Sequence, residues 1–305
     1  MPKDFLKLSD HTPEDIRWLV EETLRTKRAG RSEKPLAGKS LGMIFTKSST
    51  RTRIGFEVGM YQLGGYATTL RPDEIQLTRG ESLRDTAQVL SRFLDGLVVR
   101  TYSQEELEEL AAHATIPIIN ALTDKYHPCQ AIADYATMLE VKGTLKGLKV
   151  AYIGDGNNVA NSLLMGGAML GVDVALATPK NYAPPQDVLK TAAGFAAQSG
   201  ARIDLTENPL NAARHANFVY TDVWVSMGQE GEENIRRKEF KGFIIDDALM
   251  KEAKPDCKAM HCLPAHRGEE ISASVMDGPA SIVFDQAENK MHAQKAILKK
   301  FLGGK

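Results

Sequence analysis

Cysteine is scarce in this chain: there are three in 305 residues, at 129, 257 and 262, with no CxxC pair among them. That excludes a disulfide framework, argues against zinc, and makes a reducing cytoplasm the expected compartment. Long apolar runs are missing too. None approaches the roughly 18 residues that a membrane span needs, and Met1-Pro2-Lys3-Asp4-Phe5 has no apolar signal region. Nor is there an excess of charge of either sign. Lys+Arg number 38 against 39 Asp+Glu, so no net field points to nucleic acid or a membrane surface. Repeats and low-complexity segments are likewise absent. What remains is 43% hydrophobic, as a globular core requires, in a chain long enough for about two domains.

Apolar strand-like runs alternate with helical periodicity along the chain. The spacing predicts a helical lead-in started near Ser9–Pro13, then strand 41–45, helix 51–63, strand 66–70, an exposed loop at 71–81 and helix 82–95. Strand 97–100, helix 104–113, strand 116–120 and helix 130–141 complete the first half. Composition breaks at Gly143–Gly147, where the alternation restarts. Strand 148–153, helix 159–170, strand 172–177, a helix near 185–199 and strands at 201–204 and 218–222 follow. Phe243–Ile245 reads as a strand or as the approach to a helix at 246–253. Strands are expected at 259–263 and 281–284, and a closing helix at 287–302. The pattern predicts an α/β protein with two doubly wound parallel-sheet domains and a ligand cleft between them.

The stretch Lys47-Ser48-Ser49-Thr50-Arg51-Thr52-Arg53 falls at a strand-to-helix turn. Hydroxyls, guanidiniums and the unpaired N–H groups of a helix start converge there, which suits a phosphate. Capping needs one hydroxyl and no arginine, so these residues exceed what a cap requires. Polar groups recur at other strand ends, where ligands gather in such sheets: Arg100, His127–Gln130, Asn157–Asn158, Asp222–Met227 and His261–Leu263. Arg100 reads either as a surface charge or as a second phosphate ligand. His127-Pro128-Cys129-Gln130 reads either as a helix cap with a buried thiol or as donors aimed at a carbonyl oxygen. Gly154-Asp155-Gly156-Asn157-Asn158 resembles a dinucleotide turn without its third glycine, so its asparagines suggest a contact to a zwitterionic substrate instead. Asp222 is either an Asx-turn or the partner of an ammonium group. Cys262 is either inert core or a participant in proton transfer beside an aspartate. The Leu263-Pro264 bond is a candidate for the cis form.

Together Ser49-Thr50-Arg51-Thr52-Arg53, His127-Pro128-Cys129-Gln130, Asp222-Val223-Trp224-Val225-Ser226-Met227-Gly228 and His261-Cys262-Leu263-Pro264 resemble the aspartate/ornithine carbamoyltransferase superfamily, and within it the ornithine-using branch. The resemblance runs from Phe5 to Leu302. It implies transfer of the carbamoyl group of carbamoyl phosphate to the side-chain amine of L-ornithine, giving L-citrulline and phosphate in arginine biosynthesis, without metal or cofactor. It assigns residues 1–143 and a returning C-terminal helix, 288–305, to carbamoyl phosphate, and 144–287 to ornithine. Ser49, Thr50, Arg51, Thr52 and Arg100 would hold the phosphate. His127 and Gln130 would hold the carbamoyl end, and Cys262 and Leu263 match the carbonyl and proton-handling positions. Asn158, Asp222, Ser226 and Met227 match ornithine positions. Gln76 matches a residue that reaches a neighbouring subunit's site, which implies a homotrimer at least. Arg51, Arg100, His127 and Cys262 would be catalytic.

One position departs from the family pattern. Lys290 follows Ala-Glu-Asn where many relatives have Arg, replacing a planar bidentate cation by a point charge and making weaker carbamoyl phosphate binding the expected consequence. Among competing readings, aspartate would call for cations against its second carboxylate, and putrescine would not need contacts for an α-carboxylate. Acylated ornithine, a nucleotide-dependent oxidoreductase and a non-catalytic binder are further alternatives.

Overall fold

The buried apolar runs of each half pair in parallel with one another, as strands hidden on both faces do. The structure is a computed structural model that describes residues 2–303, apart from Arg31, Pro72, Glu74, Leu77, Thr78, Arg79 and Met227 and the side chain of Glu230. Its chain divides into two units, Met1–Ala136 with Glu288–Lys305, and Thr137–Ala287.

In the first unit, β1 (Ser40–Phe45), β2 (Tyr66–Leu70), β3 (Gly96–Arg100) and β4 (Ile118–Leu122) form a parallel sheet in the order β2-β1-β3-β4. The helices are α1 (Pro13–Ala29), α2 (Arg51–Gln62), α3 (Leu83–Phe93), α4 (Gln104–His113) and α5 (Pro128–Lys142), the last running past the unit boundary. Ile44, Leu97, Val99, Leu107, Leu110 and Ile118 fill one core cluster between sheet and helices. Helix α1 starts where Thr12 and Asp15 make a reciprocal capping box ahead of Pro13 at the first turn.

In the second unit, β5 (Lys149–Ile153), β6 (Asp173–Ala177), β7 (Ile203–Thr206), β8 (Phe218–Thr221) and β9 (Lys258–His261) are parallel in the order β7-β6-β5-β8-β9. Helices α6 (Asn158–Leu170), α7 (Gln186–Ser199), α8 (Pro209–Ala213), α9 (Glu233–Glu239), α10 (Asp247–Glu252) and α11 (Ala273–Met276) connect them. Each residue of α6 from Val159 to Leu170 is buried, consistent with its run of apolar and small side chains. The closing helix α12 (Val283–Leu302) passes into the first unit at Glu288. There Lys299 lies 2.6 Å from the buried Glu22 of α1, and Lys300 lies 2.9 Å from Asp15.

The expected α/β architecture of two parallel sheets is present, with local corrections. Residues 281–284 are not a strand. Ser281 makes an isolated bridge to Ala259, and Val283 already opens α12. Its apolar Ile-Val-Phe run was ambiguous because short buried helix starts and buried strands share one composition. The strand expected at 201–204 pairs instead over Ile203–Thr206. Phe243–Ile245 contributes an isolated bridge at Ile245 and leads to α10. Helices α8, α9 and α11 carry too few turns for periodicity to reveal them.

Glycine matters most at the β5–α6 turn. An added Cβ at Gly156 would overlap backbone atoms of Tyr182, Ala183 and Pro184, and its N–H donates to Tyr182 O at 2.8 Å. Gly156→Ala is therefore expected to lower stability by about 1–3 kcal/mol through overpacking. A urea melt would measure this, and an unchanged midpoint would refute the close approach.

Candidate active site

All six sequence clusters lie at the carboxyl ends of strands, three in each unit. In the first unit, the turn after β1 leads into α2. Thr50 stands at the cap position with φ −82° and ψ −62°, and its side chain makes no capping hydrogen bond. Capping therefore does not account for this hydroxyl. Ser49 is half-buried, Arg51 is exposed and Thr52 is buried. Arg53 leaves the cluster, since its Nε lies 2.9 Å from Glu57 one turn along α2. The turn is hooked to β3 by Thr46, whose N–H and Oγ1 donate to Arg100 O at 2.9 and 3.1 Å. Lys47 is buried against Asp124, its ammonium 4.0 Å from the Tyr102 ring centroid. This clamp was not singled out from sequence as distinct from the hydroxyl and guanidinium residues beside it.

Arg100 ends β3 with only 6% of its surface exposed, so it is not the solvated charge that a strand end usually carries. His127 precedes α5 and is buried, and its Nε2 lies 3.5 Å from Lys290 Nζ of α12, also within this unit. Burial, then Lys290, then Arg100 hold the imidazole well below its usual pKa, so it is neutral at physiological pH. Gln130 donates Nε2 to Asp134 at 2.8 Å, which turns its Oε1 the other way. That oxygen is buried with no hydrogen-bond partner among the described residues. A buried orphan acceptor costs about 1–3 kcal/mol, a cost that an incoming N–H donor would relieve. Cys129 is the inert thiol of the plain reading: it donates to Asn120 O at 3.2 Å, and burial pushes its pKa up to about 12. Gln76 is exposed in the loop after β2, its carbonyl accepting from Glu81 N at 3.2 Å.

In the second unit the centre is Asp222, just past β8 and 7% exposed. Its Oδ2 accepts from Asn157 Nδ2 at 2.9 Å, and its Oδ1 accepts from Val223 N and Cys262 Sγ, each at 2.9 Å. An Asx-turn would engage the N–H two residues on. Here the carboxylate instead joins three strand ends, those of β5, β8 and β9. Asn157 is also the cap of α6, accepting from Val159 and Ala160 N at 3.0 and 3.1 Å. The half-buried Asn158 begins that helix. Ser226 is half-buried, with its N–H on Gln229 Oε1 at 3.1 Å. Met227 lies outside the described residues.

The β9 end is fixed from behind. Leu263 N donates to His261 Nδ1 at 2.9 Å, which leaves the proton on Nε2, 3.0 Å from Glu270 Oε1. Glu270 is fully buried and also accepts from His266 N at 2.5 Å. These bonds hold Leu263 at φ +61°, followed by a cis bond to Pro264. Glu270 carried no sequence signal, being one of two adjacent glutamates in a loop. His261 was visible only as part of its tetrapeptide. The glycine turn does not read as a nucleotide site, because its own chain at 182–184 occupies the space beside Gly156.

Comparison with known proteins gives a consistent result. Residues 3–140 match the carbamoyl-P binding domain of aspartate/ornithine carbamoyltransferase, and residues 146–301 match its Asp/Orn binding domain. The chain is 53% identical over 305 residues to the ornithine carbamoyltransferase of Halalkalibacterium halodurans, covering 99% of this chain and 96% of that one. It is similar to the solved ornithine carbamoyltransferase of Pyrococcus furiosus, with TM-score 0.96, 51% identity, and coverage of 99% and 97%. For the solved enzyme of Gloeobacter violaceus the values are TM-score 0.90, 46% identity and 99% of both chains.

The three thiols differ enough to be told apart. Cys129 and Cys257 are buried, with burial pushing both pKa values up to about 12, whereas Cys262 is part-exposed. Iodoacetamide on the native protein at pH 8 is expected to alkylate Cys262 and spare the other two. Peptide mass mapping would read this, and early label on Cys129 or Cys257 would contradict the burial argument.

Proposed function

This chain belongs to the aspartate/ornithine carbamoyltransferase family, and from that premise we propose how its residues divide the reaction. The activity is transfer of the carbamoyl group from carbamoyl phosphate to the side-chain amine of L-ornithine, yielding L-citrulline and phosphate, as in arginine biosynthesis. Residues 1–143 with 288–305 take carbamoyl phosphate, and 144–287 take ornithine. Ser49, Thr50, Arg51 and Thr52 hold the phosphate with hydroxyls, backbone N–H groups and a guanidinium. Arg100 spans phosphate and carbonyl oxygen, and His127 and Lys290 donate to that oxygen. Gln130 Oε1 accepts from the carbamoyl NH2, and Cys262 and Leu263 complete the carbamoyl contacts. Asn158, Asp222, Ser226 and Met227 bind ornithine.

The amine must lose its proton to attack, although an amine of this type has a solution pKa of about 10.4. Asp222 and Cys262 form the acceptor through which that proton leaves. The nitrogen lone pair then adds to the carbonyl carbon, placing negative charge on its oxygen. Arg100, Lys290 and a neutral His127 stabilise that charge as hydrogen-bond donors. Collapse breaks the bond to the phosphate oxygen, the remaining surplus proton of the attacking nitrogen passes to that oxygen, and Arg51 and the α2 N-terminus receive the departing hydrogen phosphate dianion. Neutral His127 is suited to this task, since it donates a hydrogen bond without adding a third cation.

One observation carries ornithine over aspartate: the amino-acid half centres on the Asp222 carboxylate with a thiol 2.9 Å away. Such a pair attracts an ammonium group and repels a second carboxylate. A homotrimer with Gln76 reaching into a neighbouring copy's site is part of the same reading. The exposed apolar side chains Ile54, Tyr61, Tyr66 and Phe93 support it, because a second copy would cover them. The reducing cytoplasm is the proposed compartment, in keeping with three free cysteines.

A citrulline-type assay with carbamoyl phosphate and, in parallel, ornithine, putrescine, acetylornithine, succinylornithine and aspartate tests the assignment. Turnover with ornithine alone is the expected result, and preference for any other amine would overturn the roles given to Asn158, Asp222 and Ser226. Lys290→Arg is expected to lower KM for carbamoyl phosphate by about three- to tenfold by restoring a bidentate cation. An unchanged or raised KM would mean that lysine is the better fit in this site.

A further inference from the structure

The sequence reading did not use Asp155 or Arg236, and the reaction above has no role for them. Asp155 lies in the β5–α6 turn, two residues before Asn157, and Arg236 lies on α9, beyond the loop that carries Ser226. Both are buried, at 7% and 6% exposure, although Arg236 sits on a helix whose other residues are exposed. Arg236 Nη1 donates to Asp155 Oδ2 at 2.8 Å and to the backbone carbonyl of Trp224 at 3.1 Å. Its Nε donates to Glu232 at 3.0 Å. The guanidinium lies 5.1 Å from the Tyr182 ring centroid and 6.0 Å from that of Phe240. One side chain thus joins the turn after β5, the start of the segment 224–232 and its end. A charge pair taken out of water contributes little net stability compared with apolar packing, so its use here needs another reason.

We propose that Asp155 and Arg236 are positioning residues for ornithine: their ion pair ties the loop bearing Ser226 to the turn bearing Asn157 and Asn158, so that one geometry presents both sets of contacts. This rests on the reading that 144–287 binds ornithine. Neither residue touches the reacting atoms. They act by lowering the ordering cost that ornithine would otherwise meet on binding.

The arrangement also makes ornithine binding sensitive to acid. Burial raises the Asp155 pKa, Arg236 opposes the rise, and Asp222 and Glu232 add to it, for a net value of about 6. Tyr152, whose pKa burial raises well above its usual range, stays neutral beside it. Among the described residues, Arg236, Asp222, Glu232 and Tyr152 are the ionisable groups whose charge bears most on Asp155 or responds to it. A carboxylate is needed for the charged pair, so the tie is complete above about pH 6 and weakens as pH falls through it.

The test uses the full-length protein and the variants Arg236→Gln, Arg236→Lys and Asp155→Asn, with KM for each substrate measured from pH 5.5 to 8.5. Arg236→Gln is expected to raise KM for ornithine about tenfold or more, as loss of a charge-assisted bond implies, while KM for carbamoyl phosphate stays within about twofold. Arg236→Lys should recover part of the loss. The ratio of ornithine KM in Asp155→Asn to that in the wild type should exceed one at pH 8 and fall toward one at pH 5.5, because only the wild type loses a charge. Equal rises in both KM values, a pH-independent ratio, or a set of variants none of which folds would overturn the proposal in favour of a purely structural pair. A readout without substrate keeps the two readings separate. In a Trp18→Phe background, Trp224 emission should shift in Arg236→Gln with no ligand present. A wild type inactive with ornithine would sink the functional reading, whereas unshifted emission would sink this one.

Discussion

The second unit depends on one carboxylate. Asp222 is nearly buried, and a buried carboxylate persists only where donors surround it. Asn157, the Val223 amide and the Cys262 thiol supply them, and each comes from the end of a different strand or from the residue next in line. The parallel sheet makes this possible. Its strands all end on one side, so loops separated by 40 residues or more in sequence meet at Asp222. The same group that organises the loops is the one proposed to meet an ammonium ion.

The first unit solves a different electrostatic problem. For the anion proposed to bind there, Arg100 and Lys290 are held out of water, whereas Arg51 is exposed. Burial, then Lys290, then Arg100 hold the His127 pKa well below its usual value, which leaves that imidazole neutral. The result is a donor set that is strong without three mutually repelling cations. Gln130 follows the same logic with a neutral group: Asp134 holds its amide nitrogen, which orients an oxygen with no partner among the described residues. Preorganisation of this kind is worth more than the added attraction of a flexible charge.

Several residues at these sites were legible because their chemistry exceeded any structural need. Two arginines and three hydroxyls within Ser49–Arg53 are too many for a helix cap, and Thr50 indeed does not cap. Other residues were not legible because their role exists only in partnership. Glu270 is one glutamate of an adjacent pair until its burial against His261 fixes a tautomer and, through it, the backbone of Leu263. Arg236 stands in a run of charged residues that reads as a solvated helix, and only the stacking against Tyr182 and the pairing with Asp155 remove it from water. Gln76 and Met227 keep the status the resemblance gave them.

The sequence by itself determined the class of fold and the chemistry carried by each strand end. Local periodicity and residue type act over a few residues, and both are written directly in the chain. It placed two of the three thiols, Cys129 and Cys262, in motifs beside other reactive groups, and burial then told them apart. Tertiary structure decided what periodicity cannot encode. It ended β9 at His261, turned Ser281–Phe284 from an expected strand into a bridge and a helix start, and shifted β7 by two residues. It decided, too, which polar groups are buried and which charges face one another. Burial and pairing are sums over neighbours distant in sequence, and those sums set whether His127 is neutral, whether Asp155 is charged, and whether Arg100 is a surface residue or part of a site.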